Sequence, residues 1–402
     1  MNFELMPTLK AMKTSWLGFA LIMFQVLLSV AVAVNALSAS RFVGGQLNAE
    51  TGIDEDNLLH ITVYGFSSQF VVGVDSDSDL RYLRSHPKIA NAIQSNAVPL
   101  SNSGWYTTLR NSTESDAIEI NAARYMVDDQ AIDTLRLELL YGRNFLPEEI
   151  VWRDGPNHAR PPAMIITESL ASKLFPDVPM EEVVGSFVHF DGDIGASVVG
   201  ILRYLPQPAA NNSNLHDSFM VSQKLAWARY NLIVRAQEGF RDSLLPELEQ
   251  ELIDLNPNRI VSNIQTLEDT YRRSTNGNVA IVWIFSVTTV LLAITTMLSI
   301  VGVENFNVKR RIRQISIRRV LGATRWGIVR YFLVEIAIVL AIGLSLGLLV
   351  AIYFNGVLVT TAEFPKLDWI DATFPMLAFL SLGLTSVFIT SLQTTRISPV
   401  PR

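Results

Sequence analysis

Four uncharged stretches decide what this chain can fold into. Residues 16–39, 278–303, 336–359 and 372–395 contain no Asp, Glu, Lys or Arg. Each exceeds the roughly 20 apolar residues that carry a helix across a hydrocarbon layer of about 30 Å. The content of 49% hydrophobic residues over 402 positions is correspondingly too high for an ordinary soluble chain. Residues 40–277 are polar, mixed in pattern and broken by Gly and Pro, which makes them one large insert between the first and second spans.

Charge fixes the expected orientation. Lys10 and Lys13 precede the first span, Lys309 to Arg330 join the second to the third, and Arg396 and Arg402 follow the fourth. With four crossings these segments fall on one side, which the positive-inside rule makes cytoplasmic. The insert carries 19 Lys and Arg against 32 Asp and Glu, a net of −13, whereas the whole chain sums to −6, so the remainder carries +7. An acidic outer domain speaks against nucleic acid as its partner, because phosphate binding needs positive charge. The first span has a basic start and small residues near its end, as a signal peptide would, but its apolar run is too long for one and is read as a retained helix.

The fold class expected is therefore a membrane protein: four transmembrane helices with a large extracytoplasmic mixed α/β domain of two subdomains between the first and second. The partition is a cytoplasmic N-terminus (1–15), the first helix (16–39), the extracytoplasmic domain (40–277), the second helix (278–303), a cytoplasmic basic segment (304–330), the third helix (331–359), a short outer loop (360–371), the fourth helix (372–395) and a cytoplasmic C-terminus (396–402).

Within the insert, "LLHITVYGF" reads as a strand, "SDSDLRYLRSH" as a short helix stopped by Pro87, and "IANAIQSNAV" as an extended run, a βαβ-like unit. "DAIEINAARYM" and "PPAMIITES" are further strands, the second leading into the helix "ESLASKLF". "GSFVHFDGDIGASVVGIL" has two alternating runs around a Gly-Asp turn and reads as a hairpin. "YNLIVRA", "GFRDSLLPELEQELIDL" and "NRIVSNIQ" form another strand–helix–strand unit. At the exit, Thr266 and Asp269 have capping-box spacing, so a helix starts at Leu267 and continues into the second span as a stalk. The alternative is two helices hinged at "STNGN".

Enzyme chemistry is sparse. There is no G-x-x-x-x-G-K-S/T loop, no H-E-x-x-H among the five histidines and no cysteine, so no catalytic, cofactor-binding or metal-binding residue is assigned. "DSDSD" opens like a calcium loop, but Leu80 stands where Gly is required and His86 where a bidentate Glu is required. Acids at a helix N-terminus explain it better.

The basic segment is the densest signal. Eight Lys and Arg lie between Lys309 and Arg330 without one acid. Anchoring and attraction to anionic membrane lipid need only two to four of them, so a protein partner is implied as well. Gly322 reads as a C-cap and Thr324 as the next N-cap, giving a short basic helix, a tight turn and a third span entering near Arg325. Gly343 and Gly347 form G-x-x-x-G, suited to close helix packing within one subunit or across a dimer. Gln25 and Asn35 can hydrogen-bond between helices, and Glu335, five residues after Arg330, is expected near the interface, paired with a basic residue and not deeply buried.

"VKRRIRQISIRRVLGATRWGIVRYFLVEIAIVLAIGLSLGLL" resembles the signature of FtsX-like permeases of the MacB type, type VII ABC transporters. "LELLYGRNF" and "AMIITESLASKLFPDVPMEEVVGSFVHFDGDIGASVVGIL" are similar to the MacB-type periplasmic core domain, and "RISPVP" to the family's R-x-x-P end. The resemblance implies a non-catalytic permease subunit working as a homo- or heterodimer with a separate cytoplasmic ABC ATPase that binds the ATP and Mg. Arg310, Arg311, Arg313, Gln314, Arg318, Arg319 and Gly322 would then form the element that docks on the ATPase, with Gln314 standing where the family commonly has Glu. It implies mechanotransmission: closure of the ATPase moves the periplasmic domain, exporting or extracting a peptide, drug or lipoprotein at the outer face. The location implied is the bacterial inner membrane, with both termini cytoplasmic and the large domain periplasmic. A periplasmic adaptor and an outer-membrane channel are among the partners it admits. The alternative is an FtsX-like regulator of an extracytoplasmic hydrolase or sensor.

Overall fold

The computed structural model describes residues 16–47, 50–153, 160–190, 194–209, 214–320, 324–362 and 366–395. The chain divides into a helical unit, Met1–Leu47 with Asn278–Arg402, and an α/β unit, Asn48–Gly277. In chain order, α1 (Trp16–Leu47) is followed by β1 (Leu58–Gly65), α2 (Val72–Ser85), β2 (Ile89–Ser95), β3 (Trp105–Arg110) and β4 (Glu119–Val127). Then come α3 (Ala131–Leu135), β5 (Leu139–Gly142), β6 (Val151–Arg153), β7 (Ala163–Thr167), α4 (Glu168–Leu174), α5 (Met180–Val183), β8 (Phe187–Phe190) and β9 (Ile194–Leu202). β10 (Ser218–Leu225), β11 (Arg229–Ala236), α6 (Arg241–Leu255), β12 (Arg259–Thr266), α7 (Leu267–Val320), α8 (Arg325–Ala362) and α9 (Trp369–Thr395) complete it.

The two strand–helix–strand units read from sequence join in one sheet. Its order is β12-β1-β11-β2, antiparallel throughout, a split βαβ arrangement with α2 and α6 as its two helices. Alternation along β1 explains its two faces: Leu59, Ile61 and Val63 pack with Leu80 and Leu83 of α2 and Leu244, Leu248 and Leu252 of α6. His60, Thr62 and Tyr64 necessarily point the other way. Between α2 and this sheet lies a buried ionic knot, in which Asp79 accepts from Tyr230 Oη at 2.7 Å and from Arg259 Nη1, whose Nη2 donates to Leu252 O at 2.6 Å. The carboxylates of "DSDSD" thus serve contacts more than the helix dipole: Asp77 pairs with Lys224, and Asp75 Oδ2 accepts the Val71 amide at 2.6 Å.

Residues between β2 and β11 form the second subdomain. Six strands close on themselves in the order β4-β3-β8-β9-β7-β10, the ring completed by the parallel pairing of β10 with β4. The β3–β8 seam is thin, Arg110 opposite His189 alone. β5 adds to β9 and β6 to β10. Closure leaves few open edges, the usual hazard of a β structure facing water. Strand alternation again divides two cores: Ala122, Met164, Ile166, Phe219 and Val221 fall in one, and Ala123, Tyr125, Ile165 and Met220 in the other.

Among the described residues the helical unit holds four helices long and apolar enough to cross a membrane. α7 is one uninterrupted helix of 54 residues, so the stalk expected from the Thr266 cap passes through "STNGN" without a hinge. Two local expectations need correction. α7 continues to Val320, so the basic run from Lys309 to Arg319 is its last turns and not a separate short helix, while Arg325 and Arg330 lie on α8. The cause is local: no Pro lies between Leu267 and Val320, and one Gly costs only up to about 1 kcal/mol in a helix interior. α1 also runs to Leu47, past residue 39, and α9 begins at Trp369, before residue 372.

Candidate functional site

α7 carries the features on which a coupling role would depend. It starts at a cap: Thr266 Oγ1 accepts the Asp269 amide at 3.0 Å, satisfying one of the first unpaired N–H groups. Gly277 has open space around it, so nothing in the packing requires glycine there. At the other end Arg310 is exposed and lies 5.3 Å from the Phe306 ring centroid, a cation–π contact. The backbone from Arg310 to Arg319 is helical. The side chains of Arg311, Arg313, Gln314, Arg318 and Arg319, and the whole of Gly322, lie outside the described residues. Thr324 caps α8, its Oγ1 accepting the Gly327 amide at 3.1 Å.

The G-x-x-x-G of α8 meets α1 of the same chain. A Cβ on Gly343 would stand 3.1 Å from Met23 O, and one on Gly347 would stand 2.9 Å from Leu27 O and 3.1 Å from Leu27 Cα. Backbone cannot yield as a side chain can, so Gly347→Val should force α1 and α8 apart at about 1–3 kcal/mol. The expected outcome is loss of monodisperse protein in detergent size-exclusion runs, with Gly356→Val, which has nothing within 4 Å, unaffected.

Polar rungs tie the same bundle. Ser29 Oγ meets Thr296 Oγ1 at 3.0 Å between α1 and α7. Asn35 Nδ2 donates to Ala31 O at 2.9 Å and Ala351 O at 3.4 Å, and Asn355 Nδ2 donates to Asn35 Oδ1 at 3.4 Å. Arg41 near the end of α1 pairs with Asp371 of α9 at 2.7 Å. Glu335 departs from the expectation that it is not deeply buried: it is fully buried among the helices. Its neighbours explain why, since Phe332, Ile336, Val339 and Leu340 on the same stretch all belong to the bundle core. α7 contributes least to that core: 6% of its most apolar window is buried, against 39% in α1 and α8, leaving Trp283, Ile284, Leu291 and Leu298 outward.

In the α/β unit, burial pushes the His60 and His216 imidazoles below the usual histidine range, against hydrogen bonds that they donate to Asn231 Oδ1 and to Glu50 O and that oppose the shift. The folded state holds both rings neutral, whereas the unfolded chain takes up protons near pH 6.5. Stability is therefore complete above about pH 6.5 and is lost as pH falls through the folded values. Thermal melts should show a midpoint dropping below pH 6.5, with a flatter profile in the His60→Gln, His216→Gln double variant. His60 carried no signal in sequence beyond its place in an alternating strand; its environment comes from β11 and β12, about 170 to 200 residues away.

Comparisons with known proteins bear on both units. Residues 19–251 match the family model described as the MacB-like periplasmic core domain, and residues 283–399 that of the FtsX-like permease C-terminal region. The macrolide export ATP-binding/permease protein MacB of Bartonella quintana (strain Toulouse) is 23% identical over 400 residues, covering 94% of this chain and 56% of that protein. The chain thus spans about half the length of the curated relative it matches. Among solved structures, the periplasmic region of MacB from Actinobacillus actinomycetemcomitans shares 14% identity and a TM-score of 0.36 over 57% of this chain and 97% of that one. The extracellular domain of the noncanonic ABC-type transporter YknZ from Gram-positive bacteria shares 17% identity and a TM-score of 0.33 over 51% and 100%.

Proposed function

The chain belongs to the FtsX-like permeases that carry a MacB-like periplasmic core domain, and from that premise we propose that it relays the stroke of a separate cytoplasmic ABC ATPase to that domain. The observation that carries this reading is α7, a single helix from the capped edge of the α/β unit to a basic end. A helix rises 1.5 Å per residue without a soft joint, so a push or tilt at one end reaches the other. The energy comes from the partner, which binds ATP and Mg. The sparsely buried apolar face of α7 supports a second permease subunit beside it, identical or paralogous. The charge asymmetry supports cytoplasmic termini and an outward-facing α/β unit, and the family supports the bacterial inner membrane with that unit in the periplasm. The cargo, a peptide, drug or lipoprotein, is moved at the outer face, with an adaptor and an outer-membrane channel as further partners.

Reversing the charge at Arg310, Arg311, Arg313, Arg318 and Arg319 to Glu tests the docking step. Each like-charge contact across an interface costs several kcal/mol. Co-purification with its partner ABC ATPase should be lost while membrane insertion persists. Intact co-purification would refute the assignment of these residues. Capture of a cell-wall hydrolase, in place of adaptor and channel, would favour regulation over export.

A further inference from the structure

A polar cleft of about 400 Å³ opens on the face of the four-stranded sheet turned away from α2 and α6. β1 gives it His60 and Thr62, β11 gives Arg229 and Asn231, β12 gives Gln265, and the first turns of α7 give Arg273. All lie within the α/β unit.

The hydrogen bonds fix the state of His60. Asn231 Nδ2 donates to Asn96 O at 3.2 Å and Ser95 O at 3.4 Å, so its Oδ1 faces His60 Nε2 at 3.2 Å as an acceptor. Thr62 donates to the same Oδ1 at 3.3 Å. Thr62 Oγ1 also stands 3.2 Å from Nε2, and with its one proton directed to Asn231 Oδ1 it faces the ring as an acceptor, which places the imidazole proton on Nε2 and leaves a lone pair on Nδ1. That atom has no partner among the described residues, although His60 is only 8% exposed, and Gln265 Oε1 is unpartnered too. The two residues are directly opposite each other in the β1–β12 register. Buried acceptors left without donors are costly, which marks a place where a donor belongs. Arg229 and Arg273 add two cations, and neither has a carboxylate partner among the described residues of a domain that is otherwise strongly acidic.

Anion-binding guanidiniums beside two bare acceptors ask for a ligand with a carboxylate next to an N–H donor. We infer that this cleft binds the α-carboxylate end of a peptide or a free amino acid, the carboxylate on Arg229 and Arg273 and the adjacent N–H on His60 Nδ1 and Gln265 Oε1. The cavity volume suits a ligand of a few residues. Occupancy adds contacts to the start of α7, so binding is expected to slow amide exchange over residues 267–277. The inference does not rest on the transport reading, since binding needs neither ATPase nor second subunit.

Calorimetric titration of the purified full chain with trialanine, alanine, N-acetylalanine amide and inorganic phosphate tests it. Trialanine binding, at least tenfold weaker in the Arg229→Gln, Arg273→Gln double variant and absent for the capped amide, is the expected result. Both arginines are exposed, so the variant should melt with the parent, and alanine binding as tightly as trialanine would assign the site to free amino acids. No carboxylate binding up to about 10 mM, equal binding by the double variant, equal binding of the capped amide, or phosphate binding alone would each overturn the proposal.

Discussion

In Asp79→Ala the α/β unit is expected to melt on the order of 10 °C below the parent. Asp79 and Arg259 are both essentially inaccessible, and the substitution strands the Arg259 guanidinium without its counter-ion and takes an acceptor from Tyr230. Removing one member of a buried pair costs about 3–5 kcal/mol, because the remaining charge stays desolvated. For a unit of this size each kcal/mol moves the midpoint by about 2–4 °C. Burial pushes the Asp79 carboxyl upward against the pull of Arg259, so part of the loss is recovered when the carboxyl is replaced by a neutral isostere, and Asp79→Asn should fall between parent and alanine. Glu138→Gln is the control. Its carboxylate is 60% exposed beside an Arg203 side chain that is itself 44% exposed, and exposed pairs contribute about 0–1 kcal/mol. Differential scanning fluorimetry of the full chain reads all three, and an Asp79→Ala midpoint within about 2 °C of the parent would show that the knot contributes little.

The second large effect is functional. Gly277→Pro removes a backbone donor and clashes with the preceding turn, a cost of about 3 kcal/mol that kinks α7 where the two units meet in sequence. In proteoliposomes with the partner ATPase, nucleotide hydrolysis should persist while substrate release at the outer face falls at least tenfold. Gly277→Ala, which firms the helix by up to about 1 kcal/mol, should keep both. Equal loss of hydrolysis and release would mean that the kink disturbs assembly, and unimpaired release would mean that movement does not travel along α7.

Much of this architecture was legible because its signals are local. Uncharged runs of helix length, the Thr266 cap and the alternating strands "LLHITVYG" and "YNLIVRA" each follow from short-range periodicity. What escaped depends on distant pairing. β10, "SFMVSQKL", is buried along its whole length between β4, β6 and β7, yet Ser, Gln and Lys break its apolar pattern. Its polar side chains are satisfied only in the fold: Ser222 Oγ donates to Ala163 O at 3.2 Å, and Lys224 lies 4.3 Å from the Trp152 ring centroid. Joining the two strand–helix–strand units into one sheet was equally invisible, since more than 130 residues separate β2 from β11. The burial of Glu335 is not legible in its distance from Arg330 along one helix, because it is set by the helices packed around α8. The basic end of α7 was legible as charge but not as shape, because helix continuity through Gly277 is a balance of about 1 kcal/mol that no motif encodes.

The central claim is that an ATP-driven stroke travels along α7 to the α/β unit. The chain has no cysteine, so a nitroxide on Glu181→Cys, an exposed position on α5, labels it at one site. Pulsed-dipolar distance measurement between the two labelled permease subunits of the assembled complex, with and without ATP, tests the claim most directly. The account predicts a distance distribution that shifts on ATP addition in the parent and stays fixed in Gly277→Pro. An unchanged distribution in the parent, or an equal shift in the proline variant, would contradict it.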